Sequence, residues 1–203
     1  QFMRDVETYY TDHFWLRDNW IQSKNYVDKL LGKQEIKGVF TVDDKMIQAF
    51  KSYDKDVVDK TLAAINSFAE KHASIPMSIM LAPTAQEIYS SELPEFAELA
   101  SQKSFIDYCY TNLNIVEIDV LSLLTENKDD YIYYRTDHHW TSFGAYLAYT
   151  AAAKRLGYTA YDRSSFTIEH ASDEFRGTLY SKTLDDSVTP DTINFFFTRA
   201  TLP

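Results

Sequence analysis

A short apolar run at residues 77–82, closed by Pro83 and flanked on both sides by stretches of helical spacing, constrains this chain more than any other feature. A run of that length reads as a strand buried on both faces, the kind found in parallel sheets between helices. Ahead of it, Val58, Leu62, Ile65 and Ala69 mark one face of an amphipathic helix that ends near His72. Behind it the pattern repeats, with helical spacing over 95–113, a strand over 115–120, a short helix over 121–126 and a strand over 131–134. Residues 142–156 form the clearest helix, rich in Ala and closed by Gly157. Regular alternation of this kind predicts an α/β fold, a three-layer sandwich with a mainly parallel sheet.

The ends of the chain are less regular. Residues 2–31 carry a roughly helical pattern that stops before Gly32, and residues 39–47, with Asp43-Asp44-Lys45 at their centre, read as a small hairpin, a satellite to the core. The expected organisation is therefore a helical segment and hairpin over 1–50, followed by an α/β domain over 51–203. After Gly157 the pattern loosens until a strand over 193–198, and no helix follows it. The expectation is that the sandwich is incomplete at the C-terminus and that the fold continues past Pro203.

Charge narrows the partners. A formal charge of −10 and a pI near 4.9 repel polyphosphate and anionic headgroups, so nucleic acid is excluded as the main partner. No run of eighteen apolar residues occurs, and the first residue is Gln1, so membrane contact is expected only through an anchor upstream of the sequence given. The single cysteine, Cys109, lies in a helical setting with Ile106, Tyr110 and Leu113 and reads as core.

Asp137-His138-His139-Trp140 is the constellation that carries chemistry. The strand expected over 131–134 delivers it to a carboxyl end, where ligands collect in open α/β sheets, and Thr141 caps the helix that follows. Acyl transfer needs an imidazole base oriented by a carboxylate, which fixes the tautomer and stabilises the imidazolium. An Asp two residues before a His in a turn can do this, so His139 is read as base and Asp137 as orienter, with His138 pointing elsewhere. The plain reading is a helix cap beside two polar histidines and a core Trp140. A third reading is a manganese phosphoesterase site of the Asp-His-His type, for which Asp119 is the sole good additional carboxylate.

The run Tyr134-Arg135-Thr136-Asp137-His138-His139-Trp140-Thr141-Ser142-Phe143-Gly144-Ala145-Tyr146 resembles the signature of the bacterial DHHW protein family, itself similar to the SGNH-hydrolase-like O-acetyltransferases of the alginate machinery. Tyr10-Thr11-Asp12-His13-Phe14-Trp15-Leu16-Arg17-Asp18, Leu81-Ala82-Pro83 with Tyr89 and Leu93-Pro94, and Phe175-Arg176-Gly177-Thr178-Leu179-Tyr180-Ser181-Lys182 are similar to further segments of these proteins. The resemblance implies an SGNH-hydrolase-like fold, with Asp137 and His139 as two members of a Ser-His-Asp triad and with Trp140, His138 and Tyr89 on the substrate. It departs at the nucleophile. Asp186-Ser187 is the only Asp-Ser pair, it follows no buried strand, and no Gly-x-Ser-x-Gly elbow occurs.

The resemblance implies an extracytoplasmic O-acyl (acetyl) transferase or esterase of the cell envelope, acting on an envelope or exported polysaccharide, with the serine outside this chain. The partners expected are a polysaccharide or acyl-sugar substrate and other envelope proteins; neither cofactor nor metal is expected. The alternative is a non-catalytic carbohydrate-binding or scaffold protein of the same compartment.

Overall fold

The structure, a computed structural model, describes residues 16–198. Helix α1 (Arg17–Leu30) gives way to Gly32, whose φ of 86° lets the chain leave the helix as the sequence predicts; the rest of the expected first helix and most of the Tyr10 to Asp18 segment lie outside the described residues. Strands β1 (Glu35–Ile36), β2 (Val39–Val42) and β3 (Lys45–Gln48) form an antiparallel meander. Cross-strand partners Phe40 and Ile47 face the main apolar core, while Val39 and Met46 face Leu179 and Val188. The two-residue period of the strands puts apolar side chains on both faces. The hairpin is thus part of the core rather than a satellite.

Helix α2 (Lys55–Lys71) starts where Asp54 accepts the amide of Val57 at 3.1 Å. Strand β4 (Ser78–Met80), the single-turn α3 (Ala85–Ile88), α4 (Gln102–Thr111) and β5 (Val116–Ile118) follow, and β4 and β5 pair in parallel with Ile79 opposite Glu117. The helix expected over 95–113 begins only at Gln102, because Ser101 caps it by accepting the Ser104 amide at 3.1 Å. Cys109 is buried, as expected, and burial pushes its thiol pKa up.

Short α5 (Leu121–Glu126) and long α6 (Ser142–Leu156) pack on each other, with Leu124 and Ile132 fully buried between them and the core. Strand β6 (Phe166–Phe175), α7 (Thr178–Thr183) and β7 (Asp191–Thr198) complete the described chain; β6 and β7 form an antiparallel ribbon with irregular register between His170 and Phe175.

The fold is mixed α/β, but two expectations need correction. Among the described residues only β4 and β5 run parallel, beside a three-stranded and a two-stranded antiparallel sheet, so a three-layer sandwich on a mainly parallel sheet is not what they form. Residues 131–134 are not a strand of that sheet. Their backbone groups are taken locally: Thr141 donates its amide to the Ile132 carbonyl and its hydroxyl to the Tyr131 carbonyl, and the one bridge joins Tyr133 to Trp140. A β-rich stretch whose partner is its own return segment makes a closed loop.

Candidate active site

That loop builds the site. The Tyr133–Trp140 bridge and the bond from the Tyr134 amide to the His139 carbonyl, 3.1 Å long, close residues 134–139 at their base. Tyr133 anchors one side through its hydroxyl, which donates to the Pro83 carbonyl at 2.6 Å. Thr141 anchors the other as the N-cap of α6, accepting the Gly144 amide at 3.2 Å.

Asp137 is buried at the centre of the loop and accepts three hydrogen bonds from backbone and ring. Oδ1 takes the His139 amide at 3.0 Å and faces His139 Nδ1 at 2.5 Å; Oδ2 takes the Thr178 amide at 2.7 Å. Burial alone would raise its pKa, but the Thr178 and His139 hydrogen bonds outweigh it and bring the carboxyl down to about 2. This carboxylate can only accept, so His139 Nδ1 carries a ring proton and, in the neutral ring, the lone pair sits on Nε2. The His139 side chain is 66% exposed, and Nε2 has no partner among the described residues. An oriented imidazole with an open basic nitrogen is the working half of a triad.

The lowered pKa has a sign. Stability from the Asp137 carboxylate is present above its unfolded value near 3.8 and is lost as pH falls through about 2. Asp137→Asn is expected to destabilise the chain at pH 7 by on the order of 2 kcal/mol, a gap to the wild type that shrinks between about pH 4 and pH 2. Denaturant unfolding of both proteins across that range checks it; a gap independent of pH contradicts it.

Three residues that the sequence reading did not single out hold Asp137 in place. Thr136 is fully buried: its hydroxyl donates to Asp191 at 2.5 Å and accepts the Gly177 amide at 2.9 Å, and its carbonyl accepts the Leu179 and Tyr180 amides, each at 3.1 Å. Asp191, also fully buried, takes the Arg135 amide at 2.6 Å, the Thr136 amide at 2.8 Å and the Tyr131 hydroxyl. Gly177 sits so close to Asp137 that a Cβ there would lie 2.3 Å from the Asp137 Cβ and 2.5 Å from Oδ2. The β6–α7–β7 segment therefore clamps the loop from a distance of forty or more positions.

His138 does not face away. Its ring centroid lies 3.9 Å from that of His139, and its Nδ1 bonds the Thr178 hydroxyl at 2.8 Å. Trp140 packs half-buried against the main core. Tyr89 is brought to a different place: it is buried edge-on to Tyr133, ring centroids 6.2 Å apart, and lines a cleft to which Asp137, His138, His139 and Trp140 do not contribute. Ser187 lies elsewhere again, donating to Asp185 at 2.7 Å and accepting from Lys29 at 3.0 Å.

Among the described residues Asp137, His138 and His139 are the one group of His, Cys, Asp and Glu whose ligand atoms gather within 4.8 Å, as a metal would require. Their inner atoms are committed, since Asp137 is saturated with donors and both Nδ1 atoms are bonded within the protein. A cation held through those atoms would have to displace the bonds, whereas His139 Nε2 is free of them. Asp119, the extra carboxylate of the phosphoesterase reading, is bonded to Ser122 at 2.6 Å instead.

No curated protein sequence matches the chain. Solved structures do. A DHHW family protein from Eubacterium siraeum DSM 15702 is 29% identical with a TM-score of 0.67, the match covering 78% of this chain and 53% of that one. PatB1 of Bacillus cereus, solved with a sulfonyl adduct, is 16% identical with a TM-score of 0.64, over 79% of this chain and 55% of that one. The O-acetyltransferase domain of AlgJ from Pseudomonas putida is 21% identical with a TM-score of 0.62, over 80% and 65%. At these identities the last two show a shared fold, and the chain spans between half and two thirds of the length of these three structures. The DHHW protein family model matches residues 33–201, and the chain belongs to that family.

Proposed function

We propose that this chain supplies the His-Asp half of an extracytoplasmic O-acyltransferase or esterase that modifies a cell-envelope or exported polysaccharide, with a serine nucleophile from a part of the fold that it does not span. The observation that carries this reading is the 2.5 Å contact of Asp137 Oδ1 with His139 Nδ1, which leaves Nε2 open to solvent. Likeness of fold to the AlgJ O-acetyltransferase domain supports the acetyl group, and the resemblance of the Asp137–Trp140 signature to the O-acetyltransferases of the alginate machinery supports the polysaccharide. In the same reading β4 and β5 belong to a larger, mainly parallel sheet completed by those further residues. The extracytoplasmic compartment is part of the same proposal; among the described residues no helix is long and apolar enough to cross a membrane.

In this chemistry the serine Oγ attacks the acyl carbonyl carbon while His139 Nε2 takes its proton. The tetrahedral intermediate collapses, and the departing alcohol takes the proton back from the imidazolium that Asp137 stabilises. A sugar hydroxyl, or water in an esterase, then attacks the acyl-serine with His139 again as base. His138 and Trp140 flank the reacting face on either side of His139 in sequence, and Tyr89 is assigned to the wall of the neighbouring cleft.

A sulfonyl fluoride or fluorophosphonate probe applied to the full-length protein tests this. The probe is expected to label one serine outside residues 1–203, and His139→Ala is expected to slow labelling by about a hundredfold or more. Absence of labelling at any serine overturns the reading in favour of a non-catalytic glycan-binding module.

A further inference from the structure

The cleft lined by Tyr89 is a place outside the Asp137–His139 pair where aromatic rings and unpaired charge converge. It measures about 430 Å³ and lies between the β2–β3 turn, α3 and the chain from Lys128 to Arg135. Five carboxylates and three cationic side chains line it. Lys45 is paired with Glu92 at 2.7 Å, and Arg135 with Asp44 at 3.1 Å. Asp43, Asp129 and Asp130 have neither an ion pair nor a side-chain hydrogen bond among the described residues, and Lys128 is the only other cation facing them. The cleft is left with an excess of negative charge, in a place where the half-buried ring of Tyr134 supplies apolar wall and the Arg135 guanidinium lies over the ring of Tyr131, 4.6 Å from its centroid.

A second observation is independent of that charge. Tyr89 is only 5% exposed, yet its hydroxyl finds no hydrogen-bond partner among the described residues, whereas the neighbouring Tyr133 hydroxyl is satisfied by the Pro83 carbonyl. Burial, with Glu92 and Asp129 adding to it, pushes the Tyr89 pKa up to about 12, so the group is a neutral hydroxyl at any physiological pH. The ring is buried but the hydroxyl keeps solvent contact in the cleft, where a ligand oxygen or nitrogen can replace water as its partner.

We propose that this cleft seats an amino-bearing sugar unit of the acceptor glycan, its ammonium facing Asp43, Asp129 and Asp130 and one of its polar groups bonded to the Tyr89 hydroxyl. Tyrosine walls suit the apolar faces of a pyranose, and three unpaired carboxylates favour a cation and repel a uronate. The cleft and the catalytic pair share one loop: Tyr134 lines the cleft while its amide holds the His139 carbonyl at 3.1 Å. The assignment of this sugar as acceptor rests on the acyl-transfer reading; the binding itself does not.

Calorimetric titration of the full-length protein with three tetrasaccharides at low salt tests it: one of glucosamine, one of N-acetylglucosamine and one of mannuronate. Glucosamine tetramer is expected to bind, more weakly as salt is added, and the other two at least about tenfold more weakly. Asp129→Asn with Asp130→Asn, both exposed, is expected to weaken glucosamine binding by about tenfold. Tyr89→Phe should weaken it severalfold without lowering the thermal midpoint. His139→Ala should leave binding unchanged, so loss of catalysis and loss of this subsite are read separately. Equal binding of the neutral or the anionic tetramer, no binding of any, or indifference to the Asp129 and Asp130 changes overturns the proposal.

Discussion

His139→Ala is expected to lower turnover of an acyl ester by the full-length protein by about 10³- to 10⁴-fold while leaving the fold intact. The size follows from what the side chain does. Its Nε2 is the open basic nitrogen of the loop, and its Nδ1 proton is fixed by a carboxylate that stays ionised down to about pH 2. His138 is less well placed for the role: its Nδ1 is tied to the Thr178 hydroxyl at 2.8 Å and lies 3.6 Å from Asp137 Oδ1, against 2.5 Å for His139. The fold should survive because the His139 side chain is 66% exposed and the loop is closed by backbone bonds that alanine retains. Asp137→Asn should cost less in rate than His139→Ala. An amide oxygen turned toward His139 can still orient the ring, but it cannot stabilise the imidazolium, and its NH₂ then meets the Thr178 amide. Steady-state hydrolysis of an activated acetyl ester by the three proteins gives the comparison, and a His139→Ala rate within tenfold of wild type would contradict it.

Gly177→Ala is expected to damage both stability and activity, although the position is forty residues from the catalytic pair. Backbone conformation is not the reason, since Gly177 has a φ of −86° that alanine adopts readily. Clearance is the reason. The added methyl would lie 2.3 Å from the Asp137 Cβ and 2.8 Å from Cγ, and neither side can retreat cheaply. Asp137 is held by His139 and Thr178, and Gly177 is held by its amide bond to the Thr136 hydroxyl. Overpacking at such a contact costs about 3 kcal/mol, and any relaxation displaces the carboxylate from the ring it orients. An oriented base moved by about an ångström loses on the order of 10²-fold in rate. Urea unfolding and ester turnover of the one variant check both halves; a Gly177→Ala protein with wild-type stability and rate would show that the close approach is not maintained in solution.

The parts of the site that were legible in the sequence are those whose partners are near in sequence. Asp137 and His139 are two positions apart and Thr141 caps the helix beginning at Ser142, so turn and cap chemistry alone brings them together. The parts that were not legible have partners made by tertiary folding. Asp191 meets Arg135 and Thr136 across more than fifty positions, and Thr178 meets Asp137 across forty-one. A signal for Gly177 was present all the same. Of only five glycines, three sit at positive φ at a helix end or a turn, and Gly144 and Gly177 are left as points of close approach.

The same division holds for the fold. Helices with a strong apolar stripe or a clear cap, such as α2 and α6, were found close to their bounds. The helix expected over 95–113 lost its first turns because Pro94 and Ser101 carry turn and cap chemistry that apolar spacing does not report. Strand content at 131–134 was misassigned because β-rich composition does not say which backbone a stretch will pair with. The strand expected over 193–198 is present as β7, but its pairing with β6 escaped for a related reason: the antiparallel partners are separated by α7, and no tight turn joins them to mark a hairpin.

The account stands on the protonation of one ring. In ¹⁵N NMR of the described chain at about pH 9, where a free imidazole is neutral, His139 is predicted to carry its proton on Nδ1 and to expose an unprotonated Nε2, and Asp137→Ala should abolish that preference. A His139 ring protonated on Nε2 in the wild type, or one indifferent to Asp137→Ala, would contradict the claim that Asp137 prepares His139 as a base.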